Sequence, residues 1–123
     1  MKNPIRLLVI SSLLTASNIY ASSNEDKVNI PFRYAKGQVL FDKNCSACHS
    51  STLTGSDKGP PLLHSFYKPS HHGDSAFYRA GLKGVKAHHW NFGDMPPVAG
   101  MTETKMKSIV SYVRFYQQQK KLY

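Results

Sequence analysis

Cys45-Ser46-Ala47-Cys48-His49 places two thiols and an imidazole within one short segment. Three chemistries use such a set: a redox dithiol, half of a zinc site, or covalent attachment of a porphyrin. A structural zinc site takes four ligands, and the chain has 2 cysteines, so no second pair exists. A thioredoxin-like dithiol needs a βαβ setting, which this sequence lacks. The third chemistry fits the spacing. Two thiols one helical turn apart reach the two vinyl groups on one side of the macrocycle, and the next residue swings its imidazole under the iron. The motif predicts one haem held through Cys45 and Cys48, with His49 as the proximal iron ligand.

The elements that must position this motif are helical. Gly37, Leu40, Phe41 and Cys45 fall on one face of a helix running from Tyr34 to Asn44. Ser50 to Gly59 reads as loop, and Pro60-Pro61 as a rigid extended step, because each ring fixes its own φ and restricts the preceding residue. After the polar turn Lys68–Gly73, Asp74 reads as a helix cap. The short helix it starts turns Phe77, Ala80 and Gly81 inward and closes at Gly84. His88 to Gly100 is a loop carrying Trp90, Phe92 and several turn formers. A last helix, capped by Thr102, bears Met106, Ile109, Val110, Val113 and Tyr116 as an apolar stripe and ends in the polar tail Gln117 to Lys121. The fold class is all-α, three or four short helices joined by long loops. Loops of that length in a compact domain need an organiser, and a haem would serve.

The N-terminus reads as an export signal. Lys2 and Arg6 precede the apolar run Leu7–Leu14, and Ile19-Tyr20-Ala21 ends on a small residue. The expected division is a signal peptide over 1–21, a polar leader over 22–33 and one domain over 34–123, located in the periplasm. No stretch approaches the roughly 18 apolar residues that span a bilayer, so no integral membrane segment is expected after signal removal. The chain carries 16 Lys+Arg against 7 Asp+Glu, a formal net charge of +9. Loss of Lys2 and Arg6 with the signal lowers it by two. An exported basic protein suits acidic redox partners reached by electrostatic steering; scattered lysines and export argue against nucleic acid.

The chain resembles the class I c-type cytochromes from about Tyr34 to Tyr116. Gly37 and Phe41, eight and four residues before Cys45, match the glycine and aromatic of that family's first helix. The resemblance implies a cytochrome c-like fold in which the first and last helices cross at the glycine, here against Ile109 and Tyr112 with Val113 beside them. Gly59-Pro60 followed by Leu62 looks like the segment behind the proximal histidine, which implies that the Pro60 carbonyl accepts the His49 Nδ1–H. Gly93-Asp94-Met95-Pro96-Pro97 resembles the G-x-M-P loop, which implies Met95 as the second axial ligand. His88 and His89 are its rivals, whereas Met106 sits on the apolar stripe and Met101 lacks the proline-braced turn. Trp90 is a candidate donor to a haem propionate, as a tryptophan is in some members. Phe66, Tyr67, Phe77, Tyr78 and Phe92 are expected as haem-pocket wall or core.

The resulting expectation is a monomeric, non-enzymatic carrier of single electrons with one haem c and His/Met ligation. Lys36, Lys43, Lys58, Lys83 and Lys86 are available for its docking face. His71-His72 and His88-His89 lie outside the general family pattern. They raise an alternative, a cytochrome with an added copper-handling or copper-oxidase-docking role. An open-site haem enzyme or sensor is the other alternative.

Overall fold

The computed structural model describes residues 28–123; the expected signal peptide and the first half of the leader lie outside them. Helix α1 spans Phe32–Asn44, α2 Ser46–His49, α3 Asp74–Lys83 and α4 Glu103–Gln119, with one 3₁₀ turn at Ser65–Tyr67. Among the described residues there is no strand, only the isolated bridges Ser56–Gly59 and Val85–Met95. The first helix starts two residues earlier than the periodicity suggests, directly after Pro31. Val28 and Ile30 pack against the core, so the last part of the segment read as leader belongs to the folded domain.

Helix α4 packs on both α1 and α3. Its contact with α1 is closest at Gly37, where an added Cβ would collide with the Ser108 carbonyl oxygen and come within 2.7 Å of Tyr112 Cβ. A side chain at this position would hold the two backbones apart, which is the physical reason for a glycine. Tyr112 is the expected partner, but Ser108 takes the place anticipated for Ile109, which turns into the core. Tyr34 stacks on Phe115 at 4.3 Å and Phe41 tilts against Tyr112 at 5.6 Å. Phe41 and Tyr112 are both essentially inaccessible; side chains of this size each contribute about 1.5–3 kcal/mol through burial.

The anticipated stripe of α4, Met106 to Tyr116, is buried throughout. Thr102 caps the helix by accepting the Lys105 N–H at 3.3 Å. Gln117 corrects the polar-tail reading: it lies within the helix and is fully buried. Its amide nitrogen donates to the Leu62 carbonyl at 2.8 Å, which satisfies the buried group. Asp74 also departs from expectation. Gly73 is the N-cap of α3, and the Asp74 carboxylate accepts Arg114 Nε–H at 2.7 Å instead. Gly84, with φ of 77°, ends α3 as the sequence suggests.

A candidate haem site

Cys45 is the junction between α1 and α2, and Cys48 and His49 lie on α2. The turn is closed by the His49 N–H donating to the Cys45 carbonyl at 3.0 Å. Both thiols are free, so the pair forms no disulfide. Burial, with a further contribution from Cys48, pushes the Cys45 thiol up to about 11. Gly59 lies flat against this turn, where a Cβ would come within 2.9 Å of Cys48 Cβ.

His49 is buried, and its Nδ1 lies 2.9 Å from the Pro60 carbonyl oxygen. A carbonyl can only accept, so Nδ1 carries the proton and Nε2 is left with its lone pair. Burial lowers the pKa of the ring, and the Pro60 bond opposes that shift. Beside His49 opens a cavity of about 520 Å³, with a mostly apolar wall, a size within the range of small-molecule and cofactor sites. Met95 lines the same cavity. Its backbone is pinned by reciprocal 2.9 Å hydrogen bonds with Val85, and the loop between them is tied by the Ala87 N–H to Asp94 Oδ1 at 2.9 Å. Met101 and Met106 also reach the cavity, Met106 as a core residue pressed against Gly81 of α3.

The aromatic residues divide. Tyr67, Phe77, Trp90 and Phe92 line the cavity. Phe66 and Tyr78 are not part of that wall: Phe66 stacks on His89 at 4.3 Å, and Tyr78 packs against the core. Burial raises the Tyr67 hydroxyl pKa, with an opposing pull from the nearby Trp90 indole. That approach falls short of a hydrogen bond, and the buried Trp90 Nε1–H is left without a partner. An orphaned buried donor on the wall of a cavity fits a cofactor carrying an acceptor such as a carboxylate.

The two histidine pairs come together across two loops. The rings of His88 and His89 lie 4.3 Å apart and those of His71 and His72 4.8 Å, with His71 and His89 at 5.2 Å. Loss of hydration first, then repulsion from the imidazoles of His88, His72, His71 and His64, lowers the pKa of His89. His64 and Arg114 are the residues that sequence reasoning missed. His64 packs edge-on to Trp90 at 5.0 Å. Arg114 is buried and donates to Asp74, Gln117 and the carbonyls of Tyr67 and His72. A lone cation beside an apolar stripe was its only trace in the sequence.

Comparison with known proteins agrees with this arrangement. The family model described as Cytochrome c matches residues 34–115. No curated protein matches the chain significantly. Four helices among the described residues, a C-x-x-C-H turn at a cofactor-sized cavity and a match over two thirds of the sequence place this chain in the cytochrome c family, whose members bind haem c covalently and transfer electrons.

Proposed function

We propose that this chain is an exported periplasmic carrier of single electrons, with haem c held by Cys45 and Cys48 and its iron coordinated by His49 and Met95. The observation that carries the reading is the 2.9 Å bond from His49 Nδ1 to the Pro60 carbonyl, made on the wall of the cavity that Met95 also lines. That bond holds one tautomer, leaves Nε2 for the metal and raises its basicity. Haem c supplies an iron that cycles between ferric and ferrous states; the chain supplies ligands, a dry wall and a docking face. Met95 is favoured over Met106, whose sulfur is engaged against Gly81, and over Met101, which lacks the bridge to Val85. A thioether favours ferrous iron and raises the potential relative to a second imidazole. Trp90 lines the same wall, and its indole N–H, which has no partner, would serve as a donor to a propionate.

If His49 and Met95 both hold the iron, no position would be left for a substrate, and the chemistry would reduce to electron exchange with partners. Lys83 and Lys86 are exposed and lie at the cavity, and the net charge favours an acidic partner. Among the described residues no helix is long and apolar enough to cross a membrane. The test is carbon monoxide binding to ferrous holoprotein at neutral pH. A carrier with two protein ligands should show no rapid spectral change on mixing. Fast stoichiometric binding would sink the reading in favour of an open-site enzyme or sensor.

A further inference from the structure

Beyond the haem site, the structure gathers His71, His72 and His89 so that one ligand nitrogen from each lies within 4.8 Å of the others. His71 and His72 are close in sequence, but His89 comes from a separate loop, 18 residues from His71. Both loops are fixed. The backbone N–H groups of His71 and His72 donate to the Lys68 carbonyl at 3.0 and 2.9 Å, and Arg114 Nη2–H holds the His72 carbonyl at 2.6 Å. His89 is laid against Phe66 by ring stacking.

We propose that His71, His72 and His89 form a binding site for one divalent first-row transition-metal ion, of the Zn(II) or Cu(II) kind. Three features of the cluster match what such an ion needs. The Nε2 atoms of His71 and His89 are 3.3 Å apart. Two nitrogens bound tetrahedrally to one ion at about 2.0–2.1 Å stand about 3.3–3.4 Å from each other. The third nitrogen, that of His72, lies within 4.8 Å of both. His72 Nδ1 lies 2.5 Å from the Phe66 carbonyl oxygen, which fixes that nitrogen as the protonated one and presents Nε2. A carbonyl behind a ligating imidazole is the usual outer partner of a metal-bound histidine. Finally, the set is made only of imidazoles, which suit zinc and copper rather than calcium or magnesium.

His88 stands beside the three without belonging to them. Its Nδ1 is held by the Lys86 carbonyl at 2.8 Å, and it falls outside the set whose ligand nitrogens all lie within 4.8 Å of one another, so a fourth position is left to water. The cluster lies outside the C-x-x-C-H turn; His72 and His89 also line the haem cavity, and His71 does not. Haem attachment rests on Cys45, Cys48 and His49, none of which belongs to the cluster, so haem absorption and metal titration report on the two sites separately.

The experiment uses untagged ferric holoprotein. Calorimetric titration with Zn(II), and equilibrium dialysis against Cu(II), should each give one ion per chain. His71→Ala and His89→Ala should weaken binding by roughly 10–100-fold, the range seen when a metal's supporting shell is damaged, or more. His88→Ala should change it by less than about threefold. Haem absorption and the thermal midpoint check that each variant is folded. An arm that needs no variant is protection: Zn(II) should shield His71 and His89 of the wild type from diethyl pyrocarbonate, read by peptide mass spectrometry. Substoichiometric binding of both ions, equal affinities in wild type and the two alanine variants, or unchanged modification of His71 and His89 in the presence of whichever ion binds would overturn the site. Binding of Cu(II) alone would keep the site and assign it to copper; Zn(II) alone would assign it to zinc.

Discussion

Arg114 of α4 reaches Asp74 at the start of α3, with Nε 2.7 Å from Oδ1, and the two ends of this ion pair live in different media. The arginine side chain is 11% exposed and the carboxylate 63%. The guanidinium also donates to Gln117 Oε1 and to the carbonyls of Tyr67 and His72, and it lies 4.7 Å over the Phe77 ring. Its main role is to satisfy backbone acceptors of the loop before α3; the carboxylate is its wet end. Arg114→Ala should therefore cost about 3–5 kcal/mol, as for removal of one partner of a buried charged network. Asp74→Asn should cost no more than about 1 kcal/mol, as for an exposed pair. Denaturant unfolding of the two holoproteins checks this asymmetry, and equal losses would contradict it.

Gly37 allows a second prediction. Because an added Cβ meets backbone at Ser108 rather than a flexible side-chain tip, neither helix can yield without moving as a body. Gly37→Ala should destabilise the holoprotein by about 1–3 kcal/mol or more, the usual cost of overpacking. Val39→Ala, at a position 66% exposed on the same helix, should stay within about 0.5 kcal/mol. Comparable losses would mean that helix propensity, not the close approach, governs this site.

What the sequence disclosed and what it concealed differ by range of interaction. The C-x-x-C-H turn and the stripe Met106 to Tyr116 are local patterns, and both read directly into structure. Leu53 is concealed in a Ser/Thr-rich loop, yet it is fully buried with φ of 61°. Its carbonyl accepts the Leu62 N–H at 2.8 Å, a contact no periodicity reports. Gln117 looked like the start of a solvated tail because its burial depends on Leu62 and Arg114, both supplied by tertiary packing. The histidine pairs were visible as pairs; that His89 meets His71 depends on how two loops fold back at one side of the cavity.

Alkaline pH should destabilise the protein through its buried phenols. Burial raises the Tyr112 hydroxyl pKa, helped by the Asp42 carboxylate and by Tyr116, and burial raises that of Tyr67. A native state that holds a proton more tightly than the unfolded chain is fully favoured below the unfolded value of about 10 and loses that advantage as pH rises from there through the higher native value. Thermal midpoints of the wild type should thus fall progressively above about pH 10. Tyr112→Phe keeps the ring against Phe41 and removes the titrating group, at the expense of a long 3.5 Å contact to the Ser51 carbonyl. Its midpoint should decline less steeply over the same interval, and parallel curves would assign the alkaline loss elsewhere.

The second axial ligand is tested by changing Met95 in two ways. If its sulfur coordinates the iron, the ferric wild type should show a weak far-red absorption band, and Met95→Ala should lose it. Met95→His should restore six-coordination with two imidazoles and lower the midpoint potential, since an imidazole favours ferric iron more than a thioether does. The bridge between Val85 and Met95 is made by backbone atoms, so neither substitution removes the restraint that holds this loop at the cavity. Met106→Leu supplies the contrast. Met106 is 4% exposed and packed against Gly81, so its loss should cost less than about 1.5 kcal/mol of stability while leaving the far-red band in place. A band that survives in Met95→Ala and vanishes in Met106→Leu would transfer the ligand to α4 and remove Met95 from the site.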